Sequence, residues 1–498
     1  MEGIIRKNSL WATVINYVGV AVGFLSAIIF FPRLLSIEEL GLTNVLLNAS
    51  TLLAQIAALG ASNIALRFFP FFKTGERQYN GIFTIAFLIS LVGIILVSAL
   101  FFIFKSEIIN YYKTESPLFA QYFMLLFPMM VFILFYSLFS SWLRSLKKII
   151  ASAVYIEIIL RAAALLSVLI YATGMISFEV FILLYVGSYA VPAIGLLIHC
   201  GCSGMLGLKI KITDQMRTYY KPAILYGFFC LFATIGASMV VNIDTIMLAG
   251  KVGLVEVGIY SIAIRFMSML QMPYRAMLSI SGPIVAEYWR DNNMEKMGEL
   301  YKKFSLNISI ITLIIFLVVW VNIDSFYIIL PDGYDAGKWA ILILFIGKFV
   351  DISSGLNSTI LNTSEKYKWD LYLSIFLIIS AIITNMIFIP IWGIEGAAFA
   401  TTLSVLLLNV ARVWLVKHFF HIQPFTLNVA LVLLMTIAAG AIISFVPVFM
   451  FWIWDVAFRS ILVALLFLLP VYLLKLSKEF NDMIDHIFKA IFGRIRRK

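Results

Sequence analysis

Hydrophobic side chains make up 62% of the 498 residues and charged ones 13%, against roughly 45 to 50% and about 25% in an ordinary soluble domain. A water-soluble chain of this length would divide into cores joined by polar linkers, and the sequence has none, which excludes that class. The net charge of +11 is accounted for by the asymmetry of the loops described below, and no nucleic-acid partner is expected.

A bilayer core about 30 Å thick needs roughly 20 apolar residues per helix, because backbone polar groups cannot stay unpaired in lipid. Apolar runs of that length fall near 10–31, 42–66, 82–104, 119–143, 149–171, 178–198 and 222–248, then 256–280, 304–323, 339–361, 370–390, 394–416, 427–449 and 457–474. The fold class predicted is an all-α polytopic membrane protein with about 14 transmembrane helices. The first apolar run lacks a small-residue cleavage site and is expected to be retained as a helix.

Lys and Arg concentrate on one side. With Arg6 and Lys7 placed inside, the loops on that face hold Arg67, Lys73 and Arg77; Arg144, Lys147 and Lys148; Lys209, Lys211, Arg217 and Lys221; Arg290, Lys296, Lys302 and Lys303; Lys366 and Lys368; and Lys417. The other face has only Arg33, Lys105, Lys113, Lys251 and Lys338. The positive-inside rule then puts both termini in the cytoplasm. Cys200, Cys202 and Cys230 cannot form a disulfide framework. His199, Cys200 and Cys202 fall short of the four ligands of a structural zinc site, so no metal is expected.

After the first span comes Glu39-Leu40-Gly41-Leu42, and after the seventh comes Glu256-Val257-Gly258-Ile259. Each following helix ends near a proline, Pro70 or Pro283. An offset of six helices preserves membrane orientation, which predicts two six-helix bundles in a parallel pseudo-repeat, residues 1–208 and 209–420. An accessory helix pair follows at 421–475. The remainder, 476–498, is a cytoplasmic amphipathic basic tail, in which Leu476, Phe480, Met483, Ile484, Ile487, Phe488, Ile491, Phe492 and Ile495 recur at helical spacing beside cations. That pattern suits a helix on the inner membrane surface. Pro128, Pro192 and Pro273 are expected to kink their helices.

Two similar bundles suit a carrier that exposes a central site to each side in turn. Ionisable residues within spans are costly and point to such a site. Glu157 and Arg161 lie one turn apart and can pair; Lys348 and Asp351 are spaced to interact; Asp244 lies in the seventh span, Arg265 and Arg275 in the eighth, and Arg412 in the twelfth. Cations outnumber anions, so the expected passenger is anionic. Arg265, Arg275, Arg161 and Lys348 are candidates for binding a diphosphate through paired hydrogen bonds. Asp244, Asp351 and Glu157 are candidates for proton or sodium coupling, or for structural pairing.

The run Asn242-Ile243-Asp244-Thr245-Ile246-Met247-Leu248, followed by Glu256 to Arg265, resembles the central signature of the polysaccharide transporter family in the multidrug/oligosaccharidyl-lipid/polysaccharide exporter superfamily. Glu39 to Leu42, Leu59-Gly60-Ala61-Ser62 with Arg67, and Gly393-Ile394-Glu395-Gly396-Ala397-Ala398 are similar to further family patterns. The resemblance implies a flippase in the bacterial cytoplasmic membrane. Its substrate would be undecaprenyl-diphosphate-linked oligosaccharide for O-antigen, capsule or exopolysaccharide, and polysaccharide assembly proteins would be its partners. A peptidoglycan lipid II flippase shares the diphosphate logic. A multidrug antiporter would show an acidic centre instead. A membrane-embedded polymerase or glycosyltransferase would need a large polar loop or a carboxylate cluster, so no catalysis is expected.

Overall fold

The computed structural model describes Ile15, Val18, Gly19 and residues 21–72, 81–206, 214–447 and 451–495. Arg6, Lys7, Lys73, Arg77, Lys209 and Lys211, used above for orientation, lie outside the described residues. Among the described residues there is no strand. The helices that carry the argument are α1 (Ala21–Leu34), α2 (Ile37–Ala57), α3 (Ala61–Phe72), α4 (Ile82–Ile103), α5 (Pro117–Ser145), α6 (Ile149–Ala172), α7 (Phe178–Cys202), α8 (Asp214–Lys251), α9 (Leu254–Arg290), α10 (Met294–Val321), α11 (Lys338–Ser353), α12 (Leu356–Thr363), α13 (Tyr367–Phe420), α14 (Leu427–Ser444), α15 (Trp452–Leu473) and α16 (Lys478–Ile495).

Among the described residues, ten helices are long and apolar enough to cross a membrane, or eleven when the bent pair α11–α12 counts as one span. The all-helical membrane fold stands, while the number fourteen is not reached by this criterion. Two reasons stand out. Most of residues 10–20, where the first span is expected to begin, lie outside the described residues, and α1 alone is too short to cross. Helix α13, at 54 residues, would be about 81 Å long if straight, far more than one 30 Å crossing. It is in fact a hairpin. Gly393 has φ 58° and ψ −121°, a conformation that side-chain-bearing residues avoid. The halves return antiparallel, with Thr384 Oγ1 3.0 Å from Ser404 Oγ. Aromatic clusters mark both ends of this hairpin: Trp369 against Phe419, and Trp392 against Phe399. They sit where interfacial belts belong.

The chain folds as two compact units, Met1–Ser261 and Ile262–Lys498. In the first, α2 starts at Ser36, whose hydroxyl accepts from the Glu39 amide while the Glu39 carboxylate accepts from the Ser36 amide. This capping box satisfies two otherwise orphaned donors. The Glu39 carboxylate also accepts from Tyr171 Oη at 2.8 Å. The prolines act as expected where their missing N–H falls. A 3-10 turn at Phe123–Leu125 precedes Pro128, and a break at Tyr189 precedes Pro192. Helix α9 instead runs unbroken through Pro273 and Pro283.

The two repeated entry turns meet. A Cβ on Gly41 would lie 1.9 Å from the Leu254 carbonyl oxygen and 3.2 Å from the Gly258 nitrogen, and one on Gly258 would lie 2.2 Å from the Ile37 carbonyl oxygen. Residue 41 therefore touches 254 while 37 touches 258, and both pairs of equivalent positions are separated by the same 217 residues. Such reciprocity is what a twofold axis between repeated elements produces.

In the second unit, a buried ion pair within α15 reaches back to the end of α14. Arg459 Nε donates to both Asp455 oxygens at 3.0 and 2.9 Å, and its Nη2 donates to the Val446 carbonyl at 2.8 Å beyond the end of α14. Ser325 Oγ donates to Asp455 at 2.5 Å. A buried charge this fully satisfied serves as a structural clasp.

Candidate substrate and coupling sites

Each unit contains intramembrane charge, and each is built differently. In the first unit, α6 carries a π-helical stretch, Val154–Ile159, that contains Glu157. One turn later, Arg161 Nη2 donates to Glu157 and its Nη1 donates to the Gly19 carbonyl. Gly19 and Gly23 make this approach possible. A Cβ at Gly19 would meet Glu157 at 2.6 Å, and one at Gly23 would lie within the Arg161 guanidinium. The expected pair therefore forms, and it is locally neutral. Asp244 is buried on α8 and accepts from Tyr260 Oη at 3.0 Å.

In the second unit the charge surrounds a broken helix. Helices α11 and α12 bend by 42°, which frees carbonyls that lipid cannot satisfy. Tyrosines from α9 and α10 satisfy them: Tyr274 Oη donates to Gly355 at 3.2 Å and Tyr301 Oη to Ser354 at 3.5 Å. The Tyr274 ring occupies the space a Cβ at Gly355 would need, 2.3 Å away. Just before the break, Lys348 Nζ donates to Asp351 at 3.0 Å, as the spacing predicts. Asn409 on the returning half of α13 completes this network. It donates to Asp351 at 3.2 Å and accepts from Ser354 Oγ and Asn357 Nδ2 at 3.1 and 3.3 Å.

Just after the break, Asp370 accepts from Arg412 Nε at 2.8 Å, Asn362 Nδ2 at 2.7 Å and Ser358 Oγ at 3.1 Å. Sequence alone presents Arg412 only as a cation near the end of its span and gives Asp370 no mark of its own. The Asp370 carboxylate sits in the first turn of α13, so in sequence it reads as a loop-side residue. The signal that finds it is the partner requirement of Arg412, whose side chain is 13% exposed and which needs an anion at that depth.

Of the four candidate cations, Arg161 and Lys348 are thus paired with carboxylates. Arg265 is half-buried on α9. Arg275 is exposed, three turns further along α9, and makes no ion pair among the described residues. With Arg161 and Lys348 paired, the positive charge left for an anionic passenger is less than the number of cations suggests.

Many apolar membrane-length helices, helix breaks repaired by polar side chains and internally repeated entry turns together define a multi-pass membrane transporter. A family model for polysaccharide biosynthesis proteins matches residues 5–289, and one for MatE matches residues 216–389. The first spans more than half of the chain, which therefore belongs to the polysaccharide biosynthesis protein family, within the superfamily that the sequence motifs resemble.

Solved structures share the fold. A lipid II flippase MurJ in an inward closed conformation is 17% identical, with TM-score 0.69 over 93% of this chain and 99% of that one. An inward-facing multidrug resistance MATE family transporter of the MOP superfamily is 12% identical, with TM-score 0.63 over 82% and 94%. An outward-facing one is 14% identical, with TM-score 0.51 over 82% and 95%. The fold is thus represented in inward- and outward-facing forms, as alternating access requires. Comparison with curated protein sequences gives no match.

Proposed function

We propose that this protein is a flippase that moves undecaprenyl-diphosphate-linked oligosaccharide units across the bacterial cytoplasmic membrane for surface polysaccharide biosynthesis. The observation that carries the reading is the polysaccharide biosynthesis match over residues 5–289. The residual charge supports it: a guanidinium such as that of Arg275, in a span and without an ion pair among the described residues, favours an anionic headgroup, and bare diphosphate would be costly to move through hydrocarbon. In this reading the six-plus-six-plus-two helix division frames the transport path, both termini are cytoplasmic, and Arg265 and Arg275 meet the diphosphate. Coupling to protons or sodium runs through Asp244, Asp351 or Glu157, of which Asp351 stands beside the 42° break between α11 and α12. Polysaccharide assembly proteins are its partners.

The test is transbilayer movement of labelled polyprenyl-diphosphate oligosaccharides in vesicles containing the purified protein. Movement of at least one such glycan is expected, with Arg275→Gln and Arg265→Ala impairing rate more than abundance. No movement across several glycans by folded protein overturns the proposal. A second reading, transport of lipid II, rests on the fold likeness to MurJ. It gains the field if lipid II moves faster than every oligosaccharide offered.

A further inference from the structure

The seam between α3 and α8 in the first unit holds a cation that the candidate sites do not use. Arg67, exposed on α3, places its guanidinium carbon 4.1 Å from the centroid of the Tyr226 ring on α8 and 5.9 Å from that of Phe68. No carboxylate pairs with it among the described residues, whereas Arg161, Lys348, Arg412 and Arg459 each have one. Aromatic faces continue the patch. Phe71 is 50% exposed and lies 4.9 Å from Tyr219, and Phe68 lies edge-on to Tyr226 at 5.8 Å.

Tyr226 holds the guanidinium through the face of its ring. The ring offers only π density and takes up no N–H donor, so the donors of Arg67 remain for another acceptor, and no carboxylate among the described residues neutralises its charge. The neighbouring aromatic faces offer apolar surface of the kind on which a sugar ring rests.

We infer that Arg67, with Tyr226 holding it, is a recognition site for the diphosphate of a polyprenyl-linked sugar, with the first sugar against Phe71 and Tyr219. This rests on the flippase reading and adds to it a headgroup site outside the α9 arginines. By the loop-charge orientation this end of α3 is cytoplasmic, so the site meets the headgroup on the side where it is made.

The experiment is equilibrium binding of a fluorescent polyprenyl diphosphate to the full-length protein in nanodiscs, with inorganic diphosphate and phosphatidylglycerol as competitors. Arg67→Gln is expected to weaken binding about tenfold, and Arg67→Lys, which keeps charge but loses the paired donors, several-fold. Tyr226→Leu should weaken it less than Arg67→Gln. Inorganic diphosphate should compete and phosphatidylglycerol should not. Wild-type binding by an Arg67→Gln variant that melts normally overturns the site and leaves the flippase reading standing. Wild-type protein that binds no polyprenyl diphosphate overturns both. Equal competition by phosphatidylglycerol overturns the assignment to diphosphate and makes Arg67 an anchor for ordinary anionic lipid. Arg67→Lys corrects for folding, because it preserves the stacking cation.

Discussion

The Glu157–Arg161 pair on α6 and the Asp370–Arg412 pair across α13 place the same two chemical groups within a membrane, yet they do different jobs. The first is made within one helical turn and is closed by a backbone carbonyl, with side chains 25% and 29% exposed. The second joins residues 42 positions apart, is 8% and 13% exposed, and recruits Ser358 and Asn362 from the broken helix α12. A local pair stabilises the helix that carries it; the long-range pair decides where three helix segments stand. Depth and connectivity, more than distance, set what each contributes.

The largest effect expected from breaking either is therefore at Asp370. Asp370→Ala leaves the Arg412 guanidinium buried without its anion and should cost about 3 to 5 kcal/mol. Chemical denaturation in detergent measures it, and replacing Asp370 and Arg412 together by leucine should recover most of the loss. A near-zero cost for Asp370→Ala would show that Arg412 reaches water.

The meeting of the repeated glycines is the next strongest constraint. Gly258→Leu forces side-chain atoms into the Ile37 carbonyl and should destabilise by about 2 kcal/mol. Gly41→Leu, its counterpart in the repeat, should cost a similar amount, and a large inequality in thermal unfolding would break the twofold relation.

Breaking the local pair is milder. Glu157→Gln keeps a hydrogen-bond acceptor for Arg161 and should cost about 1.5 kcal/mol. Measured beside Asp370→Ala in the same detergent, the ratio of the two effects is a direct reading of the comparison.

The smallest effect lies at the start of α16, which is held to α10 and α15. Ser477 Oγ donates to Asn307 at 2.6 Å, Lys303 stands 3.5 Å from Glu479, and Asp485 accepts from Tyr472 Oη at 2.6 Å. Burial pushes the Glu479 carboxyl up, but a backbone hydrogen bond together with Lys303 and Asn307 outweighs it and holds the group below its ordinary value of 4.5. A depressed carboxylate stabilises the fold above its unfolded value and loses that contribution as pH falls through its folded value. Hydrogen exchange of the Phe480 and Asn481 amides should therefore quicken slightly as pH drops below 4.5, once the intrinsic pH dependence is removed. Glu479→Gln should remove that response. An unchanged response in the variant would assign it to another group.

The comparison also separates what can be read from the residues and what cannot. Glu157 with Arg161, and Lys348 with Asp351, are spaced by helical periodicity, so their pairing follows from the local geometry. Gly41 and Gly258 are visible as a repeated pattern, but their mutual contact is not, because a repeat says that two turns are alike and not that they touch. Asp455 and Arg459 have helical spacing too, yet the expected span begins at 457 and leaves Asp455 outside it. Asp370, Asn409 and Tyr274 carry no signal at all in the sequence. Each becomes meaningful only beside a group far away in the chain.

Apolar run length and ordered motifs were enough to determine a multi-pass helical transporter of this family, since the bilayer imposes helix length and hydropathy on every span independently of its neighbours. Tertiary structure alone decided which charges remain available. A carboxylate neutralises whichever cation the fold brings to it, so Arg412 is engaged in holding a broken helix, while Arg275 and Arg67 are left without a carboxylate among the described residues. Periodicity cannot anticipate that outcome, because electrostatic pairing depends on distance in space and the helices bring together residues that the chain keeps apart.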